Sequence, residues 1–129
     1  MMKLPLCAVT FALMLLLPET AAADESTEAE RKAFANCRAC HAITEGGKKL
    51  AGPPLDGIIG RQAGTRDGFA YSKAMRDAGR GGLVWNAATL DAYIANPRAM
   101  VKGKKFLPGI RSAETRKKII AYLTRHSGS

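Results

Sequence analysis

Cys37-Arg38-Ala39-Cys40-His41 is the stretch on which the reading of this 129-residue chain turns. Two cysteines separated by two residues and followed at once by a histidine form the attachment signature of c-type haem. The chemistry requires this order. Two thiols add across the porphyrin vinyl groups as thioethers, and the spacing lets one turn of chain present both sulfurs to one ring edge. His41 then turns inward, and its Nε2 becomes the proximal iron ligand. Three other readings compete. A thioredoxin-like redox pair needs a βαβ context, whereas the flanks here read as helical. A zinc site needs four ligands, and His126 is the one other histidine. A structural disulfide leaves His41 without a purpose.

Upstream, residues 1–23 read as a secretory signal. Lys3 supplies a positive start, Leu6 to Leu17 is an apolar stretch interrupted by Thr10 alone, and Pro18 breaks it. Ala21-Ala22-Ala23 then offers small residues for cleavage before Asp24. An uncleaved membrane anchor is the alternative, but the stretch falls short of the roughly 18 residues a spanning helix needs. Cleavage removes Cys7 and leaves Cys37 and Cys40 in a domain of residues 24–129, placed in the periplasm. An oxidising compartment favours a disulfide between two lone cysteines, and it is His41, directly after Cys40, that changes this reading; covalent attachment then prevents loss of the cofactor in the periplasm.

Composition sets outer bounds. The length fits one domain, and 47% hydrophobic with 24% charged residues is a globular balance, neither disordered nor collagen-like. Three cysteines are too few for a disulfide-dense scaffold. The expected fold class is all-α, because no segment alternates well enough to be a strand. Four helices are expected. The first spans Thr27 to Cys40, capped by Ser26 or Asp24, with Glu28 placed to pair with Lys32 and Phe34 turned inward beside Cys37. The second spans Ser72 to Ala78 and closes at Gly79. The third spans Ala87 to Ala95, capped by Asn86 and stopped by Pro97, with Leu90, Tyr93 and Ile94 as its apolar stripe. The fourth spans Ala113 to Arg125, capped by Ser112, with Ile119, Ile120, Tyr122 and Leu123 buried. Haem adds a large flat apolar body to this modest core, so the apoprotein is expected to fold poorly.

With the haem motif placed, the remaining segments resemble those of class I cytochromes c, of the bacterial c2 and mitochondrial type. Gly52-Pro53-Pro54-Leu55-Asp56-Gly57-Ile58-Ile59-Gly60-Arg61 resembles that family's Gly-Pro-x-Leu-x-Gly-x-x-Gly-Arg loop, and Gly68-Phe69-Ala70-Tyr71-Ser72 resembles its propionate loop. Trp85 stands where the family keeps a buried tryptophan, Leu90 to Pro97 resembles the helix ending in Asn-Pro, and Ala121-Tyr122-Leu123 resembles the closing helix. The resemblance implies one small cytochrome c fold of about four helices wrapped around a single covalent haem c. It implies that the Pro53 carbonyl accepts a hydrogen bond from the His41 ring. It further implies that Arg61, Tyr71 and the Trp85 indole N–H serve the inner haem propionate, a buried carboxylate that needs donors.

One feature departs from the family. Its second axial ligand is a methionine in a Gly-Thr-Lys-Met-x-Phe-x-Gly strap. Here the strap reads Gly103-Lys104-Lys105-Phe106-Leu107-Pro108-Gly109, one residue shorter and without Met. The distal position is therefore left to several states: vacant, water or hydroxide, Lys105 or Lys104 after loss of a proton, or Met75 or Met100 by rearrangement. The implied activity is one-electron transport without substrate chemistry; the alternative is a haem-based ligand binder, sensor or weak peroxidase. The formal charge of +9 fits a Lys/Arg patch that steers acidic redox partners, with Lys48, Lys49, Lys102, Lys104 and Lys105 as its members. Nucleic acid suits the charge but not a secreted chain, stable membrane insertion is not expected, and the expected state is a monomer.

Overall fold

The structure, a computed structural model, describes residues 21–44, 49–103 and 108–127. Among them, helices account for all regular structure apart from a single isolated antiparallel bridge between Gln62 and Val84. The expected all-α class holds.

Helix α1 spans Ala21–Phe34. It starts earlier than expected. Asp24 and Ser26 lie inside it, preceded by three alanines, the best helix formers. Glu28 pairs with Lys32 at 3.6 Å as expected, and more closely with Arg31 at 2.7 Å. The α-helix does not continue to Cys40. It tightens after Phe34 into a 3-10 segment, Ala35–Ala39. Such tightening is a common way to satisfy the carbonyls at a helix end.

Helix α2 spans Lys73–Arg80, with Ser72 as its cap accepting from the Met75 N–H at 3.1 Å. Gly79 does not close it, as expected, but sits buried within it. The reason is packing: a Cβ at Gly79 would lie 1.9 Å from the Ala63 carbonyl oxygen, so only glycine lets the two backbones meet. Closure falls instead to Gly81, the C-cap.

Helix α3 spans Ala87–Ala95 with the expected Asn86 cap, reinforced by Thr89 in a reciprocal box. Pro97 does stop it, and also opens a further short helix, α4, Pro97–Met100, which the sequence reading lacked. Proline suits that first position because the missing N–H would be unpaired there anyway. Helix α5 spans Ala113–Arg125, capped by Ser112 as expected.

The core forms where α5 packs against both α1 and α3. Phe34 and Ile119 are fully enclosed, and Tyr122 stacks on Phe34 with ring centroids 4.7 Å apart. Polar ties cross the same interfaces. The Arg125 Nε donates to buried Glu30 at 2.7 Å, and the Arg116 Nε donates to Asp91 at 2.7 Å. The long loop between Cys40 and α2 folds back on this core. The Ile58 side chain joins it, and the Gly57 N–H donates to the His126 carbonyl at 3.1 Å. No helix among the described residues is long and apolar enough to cross a membrane.

Candidate functional site

The 3-10 segment sets the cysteine motif. The Cys37 carbonyl accepts from both the Cys40 N–H at 3.1 Å and the His41 N–H at 2.9 Å, which winds Cys37 and Cys40 onto one turn. Both are free thiols. Burial pushes the Cys37 thiol above its ordinary value, with the neighbouring Cys40 adding to the shift. A redox-active pair needs the opposite, a stabilised thiolate at a helix N-terminus or beside a cation. Cys37 lies within the 3-10 segment and Cys40 caps its C-terminus, where the dipole disfavours negative charge. The thioredoxin-like reading fails on both counts. Among the described residues no group of three or more His, Cys, Asp or Glu could hold a metal ion, so the zinc reading finds no ligand set either.

His41 is positioned from the loop that follows. The Gly52 N–H donates to the Cys40 carbonyl at 2.7 Å, and the Leu55 N–H donates to the Ala42 carbonyl at 2.8 Å. These two bonds lay the Gly52–Leu55 segment against the motif. The His41 Nδ1 then stands 2.7 Å from the Pro53 carbonyl, as expected. A carbonyl only accepts, so Nδ1 carries a proton, and it is the Nε2 side of the ring that is left for a ligand. The ring lies directly over Gly52: a Cβ there would come within 2.3 Å of His41 Cε1. Gly52 is a site residue that the sequence reading took for part of a loop signature. Its only signal is its place immediately before Pro53.

A second group of residues gathers around Arg61. The Arg61 Nη2 donates to the Asp56 carbonyl at 2.6 Å, while Nη1 is buried without a partner. The Trp85 backbone N–H donates to the Arg61 carbonyl at 2.9 Å, which ties the segment carrying the tryptophan beside it. Trp85 is buried and meets Tyr93 edge-on at 5.0 Å. Burial raises the Tyr71 phenol above its ordinary value, opposed by a hydrogen bond from the Arg66 backbone and by the charges of Arg61 and Arg66. The Tyr71 phenol thus lies in the field of both guanidinium groups. Arg66 itself pairs with Asp56, Nη1 to Oδ2 at 3.0 Å. Asp56 and Arg66 were missed because a loop pairing across ten residues follows no periodic pattern.

The structure brings Cys37, Cys40, His41 and Pro53 into one set of contacts; beside Arg61 it places Trp85, through a backbone hydrogen bond, and Tyr71, whose phenol feels the Arg61 charge. The Pro53–Arg61 loop joins the two. Met75 packs from α2 against the core, and Met100 ends α4. Lys48, Lys104, Lys105 and Phe106 lie outside the described residues, whereas Lys49 and Lys102 are exposed.

No protein-family model matches the sequence. Comparison with known proteins is decisive. The chain is 43% identical over 96 residues to the cytochrome c2 of Afifella marina, covering 74% of this chain and 77% of that one. It is 47% identical over 92 residues to the cytochrome c2 of Agrobacterium tumefaciens, covering 70% and 83%. The solved cytochrome c2 of Rhodospirillum centenum superposes with a TM-score of 0.72 at 34% identity, covering 78% of this chain and 98% of that one.

The chain belongs to the cytochrome c2 family.

Cytochromes c2 carry electrons on one covalently bound haem c and are not enzymes, and the helical architecture described above is that of the cytochrome c2 fold. The residues present fit that group. Two free thiols on one turn suit the thioether links. An imidazole held through Nδ1 offers Nε2 to iron. The buried, unpartnered Arg61 Nη1 is a donor in want of an anion, as a propionate would supply.

Proposed function

We propose that this cytochrome c2 relative is a periplasmic one-electron carrier whose haem is bonded to Cys37 and Cys40 and ligated by His41. The bound haem supplies a single iron couple, Fe(III)/Fe(II), at which one electron is stored. The polypeptide does the rest. Pro53 holds the His41 ring by its Nδ1–H, fixing the tautomer and raising the basicity of the ligating nitrogen. Arg61, Tyr71 and Trp85 serve the inner propionate. Residues 1–23 direct export and are removed. Lys48, Lys49, Lys102, Lys104 and Lys105 supply the positive charge that draws in an acidic partner for a brief, small contact.

The observation that carries this reading is the 2.7 Å contact from His41 Nδ1 to the Pro53 carbonyl, with the ring seated on Gly52. The test is direct. The exported, purified protein is expected to contain one haem by pyridine haemochrome assay, to resist acid–acetone extraction, and to titrate with one electron. Colourless protein, or pigment released into acetone, overturns the proposal. Electron transfer to an acidic redox protein is expected to slow steeply with added salt, and a rate indifferent to salt removes the basic patch from the account.

A second reading rests on the absence of methionine between Gly103 and Gly109. An open or lysine-ligated sixth position suits a gas-binding or weakly peroxidatic haem protein. High-spin bands with rapid carbon monoxide binding support the open form. A low-spin spectrum without the sulfur–iron charge-transfer band, altered by Lys104→Ala or Lys105→Ala, assigns lysine. A sulfur band assigns Met75 or Met100 and ends this reading.

A further inference from the structure

The Asp56 backbone carbonyl gathers two arginines. It accepts from Arg61 Nη2 at 2.6 Å and from Arg66 Nη1 at 3.1 Å. The same Arg66 Nη1 donates to the Asp56 carboxylate Oδ2 at 3.0 Å. Both side chains of this pair are largely enclosed, Arg66 at 13% exposure and Asp56 at 24%. Two buried polar atoms are left over, Asp56 Oδ1 and Arg61 Nη1.

As a stability device this arrangement is poor. An ion pair taken out of water contributes net stability only when its remaining hydrogen-bonding groups are also satisfied, and one Asp56 oxygen is not. As a charge device it is coherent. Two guanidinium groups meet at the Asp56 backbone carbonyl and one carboxylate, paired with Arg66 alone, stands beside them, which leaves a single positive charge. Arg61 Nη1 is the donor through which that charge meets one further carboxylate. Charges in such a low-dielectric setting act over several ångströms with little screening.

We infer that Asp56 and Arg66 are positioning and tuning residues that set the net charge beside the inner haem propionate, and thereby the reduction potential. This rests on the haem assignment of the preceding subsection. Positive charge near the iron favours Fe(II), and negative charge favours Fe(III). Removing the Asp56 carboxylate leaves two uncompensated cations, and removing the Arg66 guanidinium leaves none.

The experiment is potentiometry on the exported holoprotein and four variants, after pyridine haemochrome assay of each. Asp56→Asn is expected to raise the midpoint potential, Arg66→Gln to lower it, and the double variant to return it close to the wild-type value. Arg66→Lys, which keeps the charge and loses the fork, is expected to stay near wild type. A pair that merely holds the loop predicts something else: both single variants lower the melting temperature and move the potential in the same direction or not at all. Same-sign shifts, no shift, or a lysine variant that behaves as glutamine overturn the inference while leaving the haem assignment standing. Wild-type protein without haem overturns both, and the haemochrome assay reveals it before any potential is measured.

Discussion

The Arg38 guanidinium, carried between the two cysteines of the motif, donates from Nη2 to the Tyr122 hydroxyl at 2.8 Å, across 84 residues of sequence. Its central carbon is 6.0 Å from the ring centroid, at the outer limit for a cation–π contact, so the hydrogen bond is the operative interaction. Tyr122 is held on other sides by Phe34 at 4.7 Å and His126 at 4.2 Å. Removing the hydroxyl alone, Tyr122→Phe, is expected to destabilise by about 1 kcal/mol, since the exposed Arg38 regains water. Tyr122→Ala removes the ring as well and is expected to cost roughly 3–5 kcal/mol. Guanidinium unfolding of the two variants measures the difference; equal losses mean the ring packing carries nothing.

Gly52→Ala places a methyl 2.3 Å from His41 Cε1, a separation no side chain tolerates. The ring must swing off the Pro53 carbonyl. The expected outcome is a low yield of haem-loaded protein with a perturbed absorption spectrum, read by haemochrome assay on the exported fraction. Normal yield and an unchanged spectrum show that the ring does not rest on this glycine.

Gly79→Ala sets two effects against each other. Alanine inside a helix is favoured over glycine by about 1 kcal/mol. The new methyl would lie 1.9 Å from the Ala63 carbonyl oxygen and must drive α2 off the loop. The clash involves backbone on both sides, so it prevails. The melting temperature is expected to fall by several degrees, roughly 4–8 °C per kcal/mol lost in a domain of this size. A rise means the propensity term wins.

Glu28, Asp77 and Glu114 are held below their ordinary values by hydrogen bonds from Arg31, Lys73 and Lys118 respectively. A lowered carboxylate contributes stability that is complete above its unfolded value and disappears as the pH falls through the folded one. All three are exposed, so the contribution is small and sensitive to salt. The triple variant Glu28→Gln, Asp77→Asn, Glu114→Gln is expected to melt slightly below the parent at pH 7 in low salt. The two melting curves are expected to converge in acid, once the pH has fallen through the folded values of all three groups. A gap that persists there shows a cause other than charge.

Much of the fold was legible because the signals were local. Asn86 and Ser112 stand one residue before apolar periodic segments, and both proved to be caps. The His41–Pro53 bond came from the family resemblance, and its geometry is present. What escaped was decided by distant backbone. Gly79 reads as a helix stop until the Ala63 carbonyl is seen to press on it. The end of α1 at Phe34 depends on a tightening that helical periodicity does not encode. Gly52, Asp56 and Arg66 are common loop residues, and only their neighbours make them part of the site.

The pairing of α1 with α5 also fixes an order of assembly. Phe34 and Glu30, on the helix leading into the cysteine turn, find their partners Tyr122 and Arg125 only near the far end of the chain. A chain whose final segment is not yet in place therefore lacks both partners behind the cysteine turn. Docking of the terminal helix therefore steadies the turn from behind, while Cys37 and Cys40 themselves stay partly open to solvent.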